Sequence, residues 1–482
     1  MGPNDLPALP PGQFRLLPGE WGGAGLAIGR HLLQADAALR VTAFTDAAGR
    51  VVGALLGDAF RVEDGAAVDT ADLAAAFATA PLEAAVEGFF QAVFGSWALM
   101  LLRGGQARLY LDPAGSRSAV FSPGMGCAGS SAAALLGPVA EAACFRAGLH
   151  ATLDVPREGW FPAGLTAHAG LSRLLCNHCL DLGTWRAVRH WPLAEPRREA
   201  SVEALGDAIH ARVAQHIRLL RRAFPCAMAI TGGHDTRLLL SALDPGPPLR
   251  AFQITWGMSF DLAIARRLAP LAPVVFEEVP ARLSTPSEEA AFHHRVGRAM
   301  GGGNARYYRS LAALEGVGAL IEGVGGEIAR GFLWRRGDTP GMALDAAGLH
   351  ARLGLPPAPE VTAAIAGWLA GLPPMDALHA LDLAYLELRV SPWHFAQAYV
   401  DAPLRHFSPM LSRPIIEAML RLPVAARRGD GFPRWLVARH APALAAIPHN
   451  RYGDARDWLV LARKLLQPHR VMKAYRKRFA RR

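Results

Sequence analysis

Six residues in the middle of the chain, Thr231-Gly232-Gly233-His234-Asp235-Thr236, combine the types needed to hold a polyphosphate. Two adjacent glycines let backbone N–H groups approach a ligand closely, and a helix starting there adds partial positive charge. The hydroxyls of Thr231 and Thr236 can donate to phosphate oxygens, and the Asp235 carboxylate is a hard oxygen ligand suited to magnesium. The Gly-Lys-Ser/Thr of a Walker loop is absent, which excludes that way of binding a nucleotide. His234 occupies a spacer position and is given no role. Arg237 falls on the first helical turn, where phosphate contact and a solvated charge are both open. Trp334-Arg335-Arg336 is a further candidate for meeting an anionic substrate. Cys176-Asn177-His178-Cys179 has the look of half a zinc site. No second cysteine pair completes four ligands, so a structural role is expected.

A phosphate loop of this kind needs a strand before it and a helix after it. Cys226–Ile230 reads as a buried strand, and the helix runs from the loop through Leu243. Strands are expected over Leu249–Thr255, Val274–Val279 and Gly318–Glu322, with helices over Leu262–Leu271 and Pro286–Met300. Strands alternating with helices at this spacing imply βαβ units and a parallel sheet, and ligands bind beyond the C-terminal ends of its strands. Ahead of it, Ser201 caps a helix whose apolar positions are Val202, Leu205, Ile209, Val213, Ile217 and Leu220. Beyond about residue 355 the pattern is almost entirely helical. Residues 1–190 have β character, with strands at Val41–Phe44, Val51–Leu56, Trp97–Leu102, Ala107–Leu111 and Leu174–Leu182. Helices are expected at Ala66–Ala80 and Ala132–Leu149, and Trp191-Pro192-Leu193-Ala194-Glu195-Pro196 reads as a linker.

With 482 residues, 51% of them hydrophobic, the chain is long enough for two or three domains around a sizeable core. Five cysteines are too few for a disulfide framework, no apolar run reaches membrane-spanning length, and the N-terminus lacks signal-peptide features; a cytoplasmic protein is expected. The net charge is +10, yet Leu461–Arg482 holds nine Lys or Arg and no acid, leaving +1 for the rest. That basic tail can contact an anionic partner or serve as a solvated helix end.

The loop Thr231–Thr236 resembles the Ser-Gly-Gly-x-Asp-Ser pyrophosphate loop of asparagine synthetases and β-lactam synthetases, and the likeness continues in order along the chain. Phe252-Gln253-Ile254-Thr255 and Asp261 are similar to the strand that meets adenine and the acid after it. Glu322-Gly323-Val324-Gly325-Gly326-Glu327, continuing to Phe332, resembles the family's Ser-Gly-x-Gly-Gly-Asp-Glu segment. Phe407–Leu411 with Leu422-Pro423, and Ala446–Gly453, are similar to its Pro-Phe-Leu-Asp…Leu-Pro and Arg-x-Lys-x-Gly stretches. Gly95-Ser96-Trp97-Ala98, Leu111–Gly115 and Ala128–Leu135 look like a worn glutaminase domain.

The resemblance implies an α/β protein in three parts. The first is an Ntn-hydrolase-like αββα sandwich over 1–192, and the second a parallel-sheet PP-loop domain of the adenine nucleotide α-hydrolase type over 198–460. That second domain carries a helical C-terminal extension, and the basic tail is 461–482. It further implies ATP and Mg²⁺: adenine near Ala229 and Ile254, pyrophosphate in Thr231, Gly232, Gly233, Asp235 and Thr236 with Gly323 opposite, and the metal shared by Asp235 and Glu327. A carboxylate would be adenylated and passed to an amine, with Glu327 and Arg451 serving the chemistry. The expected partners are small-molecule or peptide carboxylates and amines, not nucleic acid, and a homodimer is compatible. Departures from the family pattern stand beside the matches. Gly2 occupies the place of the glutaminase cysteine, so no glutaminase activity is expected. Val324 and Ile328 replace polar or acidic residues, and Arg451 stands for a lysine. A nucleotide-binding pseudoenzyme and an RNA-modifying PP-loop pyrophosphatase are the two rival readings.

Overall fold

The computed structural model describes residues 6–199, 201–255, 259–399 and 404–465. The basic tail expected over 461–482 lies almost wholly outside the described residues.

The first half of the chain builds two antiparallel six-stranded sheets. Its strands are β1 (Phe14–Pro18), β2 (Leu26–Ile28), β3 (His31–Ala35), β4 (Val41–Thr45), β5 (Val51–Arg61), β6 (Val93–Arg103), β7 (Gln106–Leu111), β8 (Val120–Ser122), β9 (Cys127–Gly129), β10 (Ser172–Arg173), β11 (His178–Asp181) and β12 (Arg186–Arg189). One sheet runs β12-β11-β7-β6-β5-β4 and the other β10-β8-β9-β1-β3-β2. The long strands β5 and β6 read as near-continuous apolar runs because both of their faces are covered. Ala54, Leu56, Ala98 and Met100 meet Phe14, Leu16 and Leu33 of the other sheet. The alternate residues Leu55, Ala59, Trp97 and Leu99 meet Leu73, Val86, Phe89 and Phe90 of two helices, Thr70–Ala76 and Leu82–Ala92. The far face of the other sheet is covered by Ala132, Leu135 and Leu136, with Ala140 and Cys144 against them. The layers therefore run helix, sheet, sheet, helix.

Two expected helices shrink. Ala66–Ala80 reduces to Thr70–Ala76, started by an Asp69–Asp72 capping box. Ala132–Leu149 breaks into a turn at Ala132–Ala134 and two short helices, Pro138–Cys144 and Ala147–Thr152. Pro138 has no N–H to continue a helix through Gly137, a local constraint that alanine content does not reveal. The strand expected at Leu174–Leu182 narrows to β11, preceded by Asn177 at φ +64°. Cys176 and Cys179 are buried and unpaired, in two different cores.

The second half is a parallel sheet of β13 (Cys226–Ala229), β14 (Leu249–Thr255), β15 (Val274–Pro280), β16 (Ala319–Ile321) and β17 (Arg405–Phe407), in the order β15-β14-β13-β16-β17. The order reverses between β13 and β16, and such a reversal opens a crevice at the strands' C-terminal ends. Ser201 caps the helix Val202–Ala223 through its hydroxyl, 3.2 Å from the Ala204 N–H. β17 lies inside the stretch expected to be helical; at three residues it is too short to show a period of two.

The halves share one core. Phe60, Phe94 and Trp160 from the first belong to the same buried cluster as Leu205, Leu239 and Leu383 from the second. His216 stacks on Phe94 at 4.0 Å, and burial pushes its imidazole down to about 3, so it is neutral at pH 7. The linker is anchored by Trp191, whose ring lies 3.8 Å from the Arg413 guanidinium. A wide π-helical turn, Tyr385–Val390, continues the helix Ala377–Ala384 and carries the fully buried Glu387. Arg189 of β12 grips Glu387 with both terminal nitrogens, at 2.7 and 2.8 Å. Asn177 Nδ2 donates to Oε1 at 3.1 Å and Trp368 Nε1 to Oε2 at 2.7 Å. Burial alone would raise this carboxyl; Arg189, His178 and the Trp368 indole outweigh it and hold the group below the usual glutamate range.

Replacing Glu387 by Gln leaves Arg189 buried without its countercharge, which costs about 3–5 kcal/mol. Because the folded carboxyl is depressed, this stability is complete above the unfolded pKa and is lost as pH falls through the folded value. Chemical denaturation should show a large deficit for Glu387→Gln at pH 7 that narrows in acid. Equal midpoints at pH 7 would contradict the assignment.

Candidate functional site

The strand β13 ends at Ala229, and Ile230 N still donates to Phe252 O of β14 at 2.8 Å before the chain turns into Thr231–Gly233. The helix that follows is His234–Ser241. Inside this loop the two threonine hydroxyls bond each other, Oγ1 to Oγ1 at 2.8 Å. Gly232 N donates to Asp261 Oδ1 at 2.7 Å, and a Cβ on Gly232 would press on Ile264 Cδ1 at 2.9 Å. In this state Gly232 therefore serves packing, and its N–H is engaged by Asp261. Gly233 has room around it, its nearest neighbour for a Cβ being Thr231 Oγ1 at 3.5 Å.

The crevice between β13 and β16 brings together two residues 92 positions apart in sequence, Asp235 and Glu327. The turn after β16 passes so close that a Cβ on Gly326 would collide with Asp235 Oδ1, and one on Gly323 would lie 3.2 Å from Asp235 Cβ. Gly325 takes φ +107°, which L side chains rarely adopt. Burial, then the adjacent Glu327 charge, hold the Asp235 carboxyl well above the usual aspartate range. Glu327 Oε1 accepts from Arg330 Nη2 at 3.2 Å, and Arg330 Nη1 reaches Asp430 Oδ1 at 3.5 Å. Glu327 Oε2 is buried with no hydrogen-bond partner among the described residues. A pair of facing carboxylates with an orphaned oxygen is a donor set that fits a hard divalent cation such as Mg²⁺. The Tyr385 hydroxyl lies against the pair; burial, then Glu327 and Asp235, push it well above the usual phenol range.

Beside this crevice a cavity of about 1050 Å³ opens over the C-terminal edge of the sheet. Ala229 and Ile254, the expected adenine neighbours, are both on its wall, together with Phe252 and Glu322. Thr231–Thr236 and Glu327 are not on the wall; Gly323, next to Glu322, makes the junction with Asp235. Glu322 accepts from His406 Nδ1 at 2.8 Å. Burial would raise its carboxyl, but His406 and His394 hold it below the usual range. Trp334 and Arg335 are on the cavity wall, and Arg336 is not.

Arg451 is exposed, on a loop docked against Thr231–Gly233 through Asn450 N to Gly232 O at 3.1 Å. That loop is held by Arg237, which is neither a phosphate contact nor a solvated charge. It is fully buried and donates to the carbonyls of Leu444 and Ile447, each at 2.8 Å, and to that of Pro448. His234 is buried as well, stacked on His449 at 4.4 Å. Burial, then Arg237 and His234, push His449 down to about 3. Ile328, where the family pattern has an acid, packs into the main core at 1% exposure and leaves no place for a charge.

Tyr385, Arg389 and Trp160 border the site without having been singled out from the sequence. The first two sit in a Leu-rich helical pattern and the third in a turn, so neither periodicity nor a motif marks them. No protein-family model matches the chain, and no curated protein matches it.

Arg237→Leu removes the donor for three carbonyls at once. Amide hydrogen exchange over 444–453 should rise at least about tenfold, equivalent to ~1.4 kcal/mol of lost local protection, while β13–β16 keep theirs. Unchanged exchange in that loop would show that Arg237 does not hold it.

Proposed function

We propose that this chain is an ATP-dependent, AMP- and pyrophosphate-forming ligase that adenylates a carboxylate and transfers the acyl group to an amine. The observation that carries the reading is the pairing of Asp235 with Glu327 at the reversal point of the parallel sheet, beside a cavity touched by Ala229 and Ile254. Mg²⁺ bound there would offset the charge of the departing pyrophosphate. Asp235 and Glu327 would hold the ion, and the Gly233 N–H and the start of the following helix would face the phosphates. Thr231 and Thr236 would exchange their mutual hydrogen bond for phosphate oxygens. Tyr385, whose phenol feels both carboxylates, would border the ion site. Arg451, on the loop fastened to Gly232, would stabilise charge developing on the α-phosphate.

A second reading, a nucleotide-binding protein without turnover, is favoured by one feature. Arg330 already pairs with Glu327 at 3.2 Å, supplying a fixed cation where the ligase needs an exchangeable one. Carboxylate-dependent exchange between ATP and pyrophosphate separates the two, since only the ligase catalyses it.

Asp235→Asn should weaken magnesium-ATP binding at least about tenfold by calorimetry, or ~1.4 kcal/mol. It should also stop pyrophosphate release while leaving the protein as stable as before or more so, because one of two repelling carboxylates is gone. Equal affinity in the variant would remove the metal role. For Arg451→Ala, turnover should fall on the order of 10²-fold with a much smaller change in ATP affinity, and Arg451→Lys should recover part of it. Turnover at the parent rate would make the loop a bystander.

A further inference from the structure

The cavity wall holds one cation in an unusual setting. The Arg389 guanidinium lies 4.2 Å from the centre of the Trp160 ring and 5.6 Å from that of Trp393, and all three residues line the cavity. It forms no ion pair or hydrogen bond among the described residues. Burial lowers its pKa below the usual arginine value, against the opposing charges of Tyr385, Glu327 and Glu158. A desolvated guanidinium without a carboxylate partner is costly unless something else completes its donors. Two indole faces can stabilise the positive charge but leave the planar N–H fork unoccupied, and that fork matches a carboxylate bidentately.

The setting is rigid. Trp160 Nε1 donates to the Leu388 carbonyl at 2.7 Å, tying the ring to the same π-helical turn that carries Arg389. Trp160 follows the turn over 153–158, where a Cβ on Gly159 would collide with the Leu153 carbonyl, so the backbone is closed on itself. The wall around this group is mixed: Tyr308, Trp334 and Leu355 give it aromatic and aliphatic surface, and Glu158, Arg335 and Arg352 add charge. A guanidinium fork held open between two indole faces, with Tyr308 and Trp334 on the same wall, suits a ligand with one anionic end and a large apolar body.

We propose that Arg389, clamped between Trp160 and Trp393, binds the carboxylate of an acid with an aromatic-sized apolar body. Under the ligase reading, on which this part rests, that acid is the adenylated substrate, and the N-terminal sandwich contributes directly to its binding through Trp160. Arg389 then fixes the carboxylate near Glu327 and the phosphate loop, and the chamber sorts acids by the size of their apolar part.

The test uses the full chain and two probes of equal shape, 2-naphthoate and neutral 2-naphthamide, titrated without nucleotide and followed by calorimetry and tryptophan fluorescence. Naphthoate should bind at least tenfold more tightly than the amide. Arg389→Gln should erase that ratio with little effect on amide binding, and Arg389→Lys should keep part of it. Saturating magnesium-ATP should not displace naphthoate. Equal binding of the two probes by the parent protein, no binding of either, or selectivity that survives in Arg389→Gln would overturn the proposal. Competitive displacement by magnesium-ATP would also overturn it, assigning the fork to a phosphate. If Arg389→Gln does not fold, the parent's acid-to-amide ratio and the ATP competition decide. Because the ratio is read without ATP, failure of the ligase reading and failure of this one are separate results.

Discussion

The carboxylate of Glu387 accepts four hydrogen bonds, two on each oxygen, from Arg189, Asn177 and Trp368. Those donors come from the last strands of the sandwich and from a helix of the C-terminal region, so one buried group fixes three parts of the chain. The network reaches further. Asn177 Oδ1 accepts from Arg413 Nη1 at 3.1 Å, and Arg413 lies over Trp191 in the linker. Glu387 belongs to the same π-helical turn as Tyr385 and Arg389. When the sandwich is pinned through Glu387, its flanking residues are aimed at Glu327 on one side and into the cavity on the other. Widened helical turns of this kind are common at functional sites, because they re-aim side chains that a regular helix would bury or expose.

The part of the site that was legible in the sequence was its backbone logic. Strands buried on both faces read as short apolar runs, and helices between them keep their own period, so the alternation from Cys226 to Ile321 showed a parallel sheet with a glycine loop at a strand end. Asp235 and Glu327 could be paired because each follows a strand end in a glycine-rich turn. What stayed hidden depends on contacts between distant segments. Arg237 stands where an arginine can face phosphate; only the fold brings the carbonyls of Leu444, Ile447 and Pro448 to it. The engagement of Gly232 by Asp261 is hidden for the same reason. β17 escaped because three residues cannot display alternation, and the helix over Ala132–Leu149 was overstated because one proline outweighs many alanines.

The division into two halves holds for the sheets and fails for the core. Helix–sheet–sheet–helix layering is complete in the first half, yet its Phe60, Phe94 and Trp160 belong to a cluster that the second half completes. Arg405 Nε donates to Asp58 Oδ2 at 2.9 Å across the same boundary. The sandwich is thus a wall of the cavity as well as a unit with its own interior, and it supplies Trp160 to the chamber.

That shared core has a consequence for the order in which the protein can be made. Arg189 must wait for Glu387, 198 residues later, before either is neutralised. At ~5–20 residues per second, synthesis of the intervening segment takes roughly 10–40 s. Throughout that interval the sandwich lacks the second-half residues that complete the cluster around Phe60, Phe94 and Trp160, beside an unpaired buried-type arginine. A ribosome that stalls between the halves would release a soluble-looking domain with an adhesive face. Quality control during translation, rather than the stability of the finished chain, would then set how much of this protein a cell obtains.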